Sequence, residues 1–196
     1  MKKFLLLLLI PFFGFAKYYP GSITLNDGTY KSGLVDVPLN SYNQTIGFKS
    51  DRFGKFEKFT VNEVKEFDVS VDGGMVYFVT TYIGDLKKDN TVKRATNKHF
   101  MRVVKEGNLK LYVLFTMTSN NDTGEVYIKR PNEEVALQFY MWYGQGVYSY
   151  KTFQKVVKRF FEDSCPGLLD AMNEKEFDEK GLPFIVELYD KTCGKP

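Results

Sequence analysis

Apolar and polar positions alternate in short runs through most of the chain, then change period near residue 146. Ile23-Thr24-Leu25 runs into Asn26-Asp27-Gly28, a hairpin signal because Asn, Asp and Gly accept positive φ. The chain returns from Tyr30 to Val37, turns at Pro38-Leu39-Asn40-Ser41, and continues through Thr45–Phe48 and Phe53–Phe59. Val61–Val64 reads as a short helical turn and Val64–Val71 as a strand. Met75–Ile83 is apolar and β-branched between glycine-bearing boundaries, which reads as a central strand. Phe100–Lys105 and Leu109–Met117 flank Glu106-Gly107-Asn108, and Glu125–Arg130 and Val135–Tyr140 flank Pro131-Asn132-Glu133. Turn signals every eight to twelve residues are the grammar of an antiparallel meander. The polar, lysine-rich stretch Gly84–Asn97 reads as a flexible loop.

Beyond Gly144-Gln145-Gly146 the period becomes helical. Phe153, Val156, Val157, Phe160 and Phe161 share one face, and Lys151, Lys155, Lys158 and Arg159 share the other. Ser149 is placed to cap this helix. Ser164-Cys165-Pro166 opens a second helix bearing Leu168, Leu169 and Met172, and Gly181-Leu182-Pro183 a third bearing Ile185, Leu188, Tyr189, Thr192 and Cys193. Helices this short need packing partners. The expected fold is therefore α+β: a mainly antiparallel sheet or small, partly open barrel followed by about three C-terminal helices.

The N-terminus has a separate grammar. Met1-Lys2-Lys3 is basic, Phe4–Phe13 is almost wholly apolar, and Gly14-Phe15-Ala16 offers small residues at −3 and −1 of a cut. This is the pattern of a cleavable secretory signal peptide, and the apolar run is short for ~30 Å of hydrocarbon. The expected organisation is a signal peptide over 1–16, a β-rich region over 17–146 and a packed helical region over 147–196. No transmembrane segment is expected after cleavage, and the expected location is periplasmic or secreted. Losing Lys2 and Lys3 takes the 27 basic side chains to 25, against 24 acidic. Near-neutrality gives no electrostatic reason to expect nucleic acid as partner. Export also makes Cys165 and Cys193, the only cysteines, a disulfide pair. A loop of that length corresponds to about 3.5 kcal/mol in the chain-entropy picture.

The motifs argue against most familiar chemistries. His99 is the only histidine, so a histidine-rich zinc site is ruled out, and no nucleophile motif accompanies it. It reads as a surface or strand-edge residue. Asp122-Thr123-Gly124 matches the aspartic-protease tripeptide but follows polar Ser119-Asn120-Asn121 instead of an apolar strand. Asn120, Asp122 and Glu125 lack the ligand count of a calcium hand. Gly144-Gln145-Gly146 lacks the continuation of a phosphate loop. No spacing of Asp and Glu selects a pair for glycoside chemistry. The sequence assigns no catalytic residue, metal ligand or cofactor.

Two features could be surfaces. Phe139–Tyr143 with Tyr148 and Tyr150 is the densest aromatic stretch, and Trp142, Tyr140 and Tyr143 are its candidate binding residues; the alternative is that they cover the sheet–helix junction. The basic helix face could meet an anionic membrane, although a solvated face is the commoner reading.

The segments Gly21–Gly28, Phe100–Tyr112, Tyr127–Arg130, Asp163–Pro166 and Leu188–Cys193 together resemble a family of uncharacterised exported proteins of Gram-negative bacteria. The resemblance implies export and a β-rich body with a helical tail, and supplies no catalytic residues. The functional expectation is a non-enzymatic binding or interaction module of the cell envelope, with an envelope protein or a glycan as partner. The alternative is a hydrolase using acidic residues in a cleft.

Overall fold

A computed structural model describes residues 18–38, 40–118, 121–143 and 149–194, with side chains described for all of these except 115–118, 121–123 and 141–143. The expected signal peptide over 1–16, Leu39, Ser119 and Asn120, Gly144-Gln145-Gly146 and Tyr148 lie outside the described residues.

The chain forms β1 (Tyr18–Leu25), β2 (Tyr30–Asp36), β3 (Thr45–Lys49), β4 (Glu57–Thr60), β5 (Val64–Val71), β6 (Gly74–Leu86), β7 (Val92–Lys105), β8 (Lys110–Thr118), β9 (Asn121–Lys129) and β10 (Val135–Tyr143). They join in the order β10-β9-β8-β7-β6-β5-β1-β2-β3-β4. The hairpin signals fall at real turns. Gly28 has φ 88°, Asn132 has φ 63°, and Asp72 and Gly73 both have positive φ, as a type I′ turn between β5 and β6 requires.

Gly84–Asn97 is not a loop. Gly84, Asp85 and Leu86 pair with Arg94, Lys93 and Val92, leaving a turn of a few residues. Backbone pairing needs no apolar side chains, and Tyr82 supplies the arm's packing: the Arg94 guanidinium lies 4.3 Å from its ring centroid and Lys98 Nζ 5.6 Å.

The long β6–β7 hairpin carries two differently curved halves. The edge of β6 away from β7 is shared: residues 74–79 pair with β5, and Tyr82–Gly84 pair in parallel with Val135–Leu137 of β10. The parallel contact closes β6–β10 into a five-stranded barrel. Alternate side chains then feed two cores. Phe78 and Phe100 join Ile23, Val35, Phe48 and Phe67 under β1–β5, where Phe67 stacks on Phe78 at 4.5 Å. Val79, Met101 and Val103 point the other way, into the barrel, with Tyr112, Leu114, Tyr127 and Ala136.

The outer face of β8–β10 receives the helices α1 (Tyr150–Phe161), α2 (Gly167–Asp170), α3 (Glu174–Lys180) and α4 (Phe184–Thr192). Leu111, Val113, Ile128, Leu137 and Phe139 pack there against Phe153, Val157, Phe160, Phe161 and Ile185. Ser149 caps α1, accepting from Thr152 N at 3.2 Å. The basic face of α1 is exposed. α3 is additional to the three helices read from the sequence. It buries only Phe177, too little for a periodic stripe, yet Asn173 caps it by accepting from Glu176 N, and Gly181 at φ 65° ends it. Among the described residues no helix is long and apolar enough to cross a membrane.

Two ties fix the helical tail. Cys165, before α2, and Cys193, after α4, form a disulfide with Cα atoms 6.1 Å apart. The β7–β8 turn docks on α4: Asn108 N donates to Asp190 Oδ1 at 2.9 Å, and Asn108 Nδ2 donates to the Gly194 carbonyl at 2.8 Å. A Cβ on Gly107 would overlap Asp190 Oδ2 and crowd Val186 Cγ1, so a larger residue there would have to displace the carboxylate that holds Asn108.

Phe153 lies at the centre of the tail, stacked on Phe177 at 4.5 Å and fully buried. Phe153→Ala should lower stability by about 3–5 kcal/mol in urea unfolding, the cost of removing a buried aromatic ring. Thiol labelling of unreduced protein should find neither cysteine, and reduction should lower the unfolding midpoint.

Candidate functional site

The side chains that fill the barrel emerge, farther along the same sheet face, onto the solvent side of β1–β5. One cross-strand row reads Tyr30, Thr24, Glu66, Val79, Met101, running from β2 to β7. The next row reads Ser32, Ser22, Asp68, Tyr77. Met101 and Val79 lie within the barrel cluster, whereas Tyr30 is 66% exposed and Tyr77 55%.

A solvent-open groove of about 680 Å³ runs over these rows. Ser22, Thr24, Glu66 and Asp68 line its floor, Tyr30, Tyr77 and Met75 stand along it, and Val103, Val104, Lys105 and Glu106 of the β7–β8 junction form the far wall. Ser22 is buried and its hydroxyl donates to Asp68 Oδ2, so that carboxylate is held in place with its other oxygen unassigned to Ser22. Lys105 is turned toward α4, where Nζ lies 3.2 Å from Glu187 Oε1. The groove thus offers aromatic faces, a thioether and carboxylate acceptors on a rigid sheet.

Comparison with family models, with curated proteins and with solved structures finds no match to this chain. The site is therefore read from its geometry alone.

A second polar cluster lies inside the barrel. Glu125 Oε2 accepts from Tyr127 Oη at 2.6 Å and from Gln138 Nε2 at 3.3 Å. Burial, followed by that contact with Glu125, pushes the Tyr127 hydroxyl far above its ordinary range. His99 is not a surface residue. It is 8% exposed, its Nδ1 lies 3.4 Å from the Ser41 carbonyl, and Tyr42 meets its ring edge-on at 5.5 Å. Gln44 Nε2 also reaches the Lys98 carbonyl, so residues 41–44 lie against β7. Burial pulls the His99 imidazole below its ordinary value, partly opposed by Ser41 and the Glu125 charge. This network is turned inward and holds segments together. Among the described residues no three His, Cys, Asp or Glu side chains converge as metal ligands.

The aromatic candidates divide. Phe139 is buried against Phe153 and Phe160, and Tyr140 packs partly against the helical core. The backbones of Trp142 and Tyr143 pair with Gly124 and Thr123 in β10–β9; their side chains lie outside the described ones. The groove residues escaped the sequence reading because Met75-Val76-Tyr77-Phe78 looks apolar on both faces. The available signal was Tyr77, whose hydroxyl suits a wet face better than a core.

The depressed His99 gives a pH dependence. The unfolded chain takes up the histidine proton near the ordinary value of 6.5, while the folded chain takes it up only at lower pH. Acidification from pH 7.5 through 6.5 and below should therefore lower stability, because the unfolded state binds more protons. His99→Gln should flatten the melting temperature against pH across that window; an unchanged slope would assign the effect to other groups.

Proposed function

We propose that this chain is an exported module of the cell envelope, periplasmic or secreted, that binds a partner in the groove over β1, β5 and β6 and catalyses no reaction. The observation that carries this reading is the set of exposed Tyr30, Met75 and Tyr77 beside Glu66 and Asp68 on one sheet face. Exposed tyrosines backed by rigid strands bind at low entropic cost, because only two torsions are frozen per ring. The leader-like segment at 1–16, the resemblance to exported Gram-negative proteins and the Cys165–Cys193 disulfide all support export.

The hydrolytic alternative fares worse on geometry. Glycoside hydrolysis needs two carboxyl groups flanking the scissile bond from opposite sides. Glu66 and Asp68 rise from one face of one strand, two positions apart, and stand side by side.

Two measurements test the proposal. N-terminal sequencing of the protein from an envelope fraction should begin at Lys17; an intact Met1 would contradict processing. Envelope components retained by the immobilised mature chain should be lost by at least tenfold with Tyr77→Ala or Asp68→Asn. Equal retention by these variants would remove the groove from the binding site.

A further inference from the structure

The groove's dimensions and chemistry narrow its ligand. We infer that it binds a linear oligosaccharide laid across the strands, with Tyr30 and Tyr77 as two stacking platforms and Glu66 and Asp68 as hydroxyl acceptors between them. This rests on the binding role proposed above and specifies its ligand.

The spacing comes from the register. Tyr30 stands on β2 and Tyr77 on β6, with β1 and β5 between them. Three inter-strand steps of about 4.8 Å, with a two-residue offset of about 7 Å along the strands, place the two backbone positions about 16 Å apart. That span exceeds a single sugar ring and suits a short chain of them. The carbon-bound hydrogens of a pyranose are weakly positive and face the negative π-face of a tyrosine. Its hydroxyls donate to carboxylates in charge-assisted hydrogen bonds.

A protein partner fits less well. The centre of a protein interface is depleted of charge, and a carboxylate buried there without a cationic mate carries a large desolvation cost. Here Glu66 and Asp68 line the groove floor between Tyr30 and Tyr77, so a protein seated across both rings would have to cover the two carboxylates. The groove's one lysine, Lys105, is already engaged by Glu187, so the floor keeps its acceptor character. A sugar chain satisfies this layout because each hydroxyl supplies a donor while open solvent still hydrates the carboxylates. Ser22 matters as a positioning residue. Its hydroxyl fixes the Asp68 carboxylate and its own burial keeps water from replacing it.

The test uses the mature full-length chain with its disulfide intact. It is screened on an array of linear glycans, and hits are measured by calorimetry against cellohexaose, chitohexaose, maltohexaose and their monosaccharides. Binding of an oligosaccharide, with its monosaccharide at least tenfold weaker, is expected. Tyr30→Ala, Tyr77→Ala and Asp68→Asn should each weaken it at least tenfold. Tyr30 and Tyr77 are exposed, so both variants should unfold at the wild-type temperature, which a thermal scan verifies. Failure of every glycan, or glycan binding indifferent to both tyrosine variants, overturns the inference. If the groove variants instead abolish capture of an envelope protein while no glycan binds, the ligand assignment fails and the binding role survives. If neither depends on the groove, both fall.

Discussion

The two-faced use of the β6–β7 hairpin organises this molecule. A strand side chain can serve only one face of its sheet, and successive residues alternate between faces. In β6 and β7 both faces are spent on cores: Phe78 and Phe100 on one side, Val79 and Met101 on the other. The sheet must then curl one way over its first half and the opposite way over its second. Sharing of one β6 edge between antiparallel β5 and parallel β10 makes that reversal feasible without breaking the ladder. A one-residue slip in β6–β7 register would send phenylalanines into the barrel and valines out of it.

The local pieces of this design were legible. Asn26-Asp27-Gly28, Glu106-Gly107-Asn108 and Pro131-Asn132-Glu133 all sit at turns between paired strands, and Ser149 starts the helix it was expected to cap. The barrel closure was not legible. It joins Tyr82–Gly84 to Val135–Leu137 in parallel, and no turn chemistry announces a pairing across some fifty residues. Gly84–Asn97 misled for a related reason, since its composition reports exposure, not lack of backbone pairing. The buried state of His99 depends on Ser41 and Tyr42, brought to it from the connection between β2 and β3. The groove was invisible for the same cause: its two tyrosines are remote in sequence and meet on one face only through the register of four strands.

The interior polar network shows how the two halves are kept in register. Glu125, Tyr127 and Gln138 satisfy one another inside the barrel, while residues 41–44, between β2 and β3, reach β7 through His99 and Lys98. Apolar packing alone is tolerant of small slides. A buried acceptor left without its donor costs the full desolvation penalty of the group, about 1–3 kcal/mol, so such contacts penalise alternative placements more sharply than they stabilise the correct one.

The helical tail bears on the groove although it packs on β8–β10 and not on the strands that form the groove's floor. The groove's far wall is the β7–β8 junction, and that junction is held by α4. The Lys105–Glu187 pair is half-exposed and contributes little by itself. The firmer hold is directional: Gly107 lies close against the Asp190 carboxylate, and Asn108 spends its backbone N–H and its amide on Asp190 and Gly194. α4 is in turn tied at Cys193 to the start of α2, and α1 is seated on the barrel by Phe153 and Phe160. A chain of contacts thus runs from the disulfide through α4 to Lys105 and Glu106. The tail therefore does more than cover the apolar outside of β8–β10. It fixes one wall of a site whose floor is set by β1, β5 and β6, so the width of the groove depends on two supports that meet at a single turn.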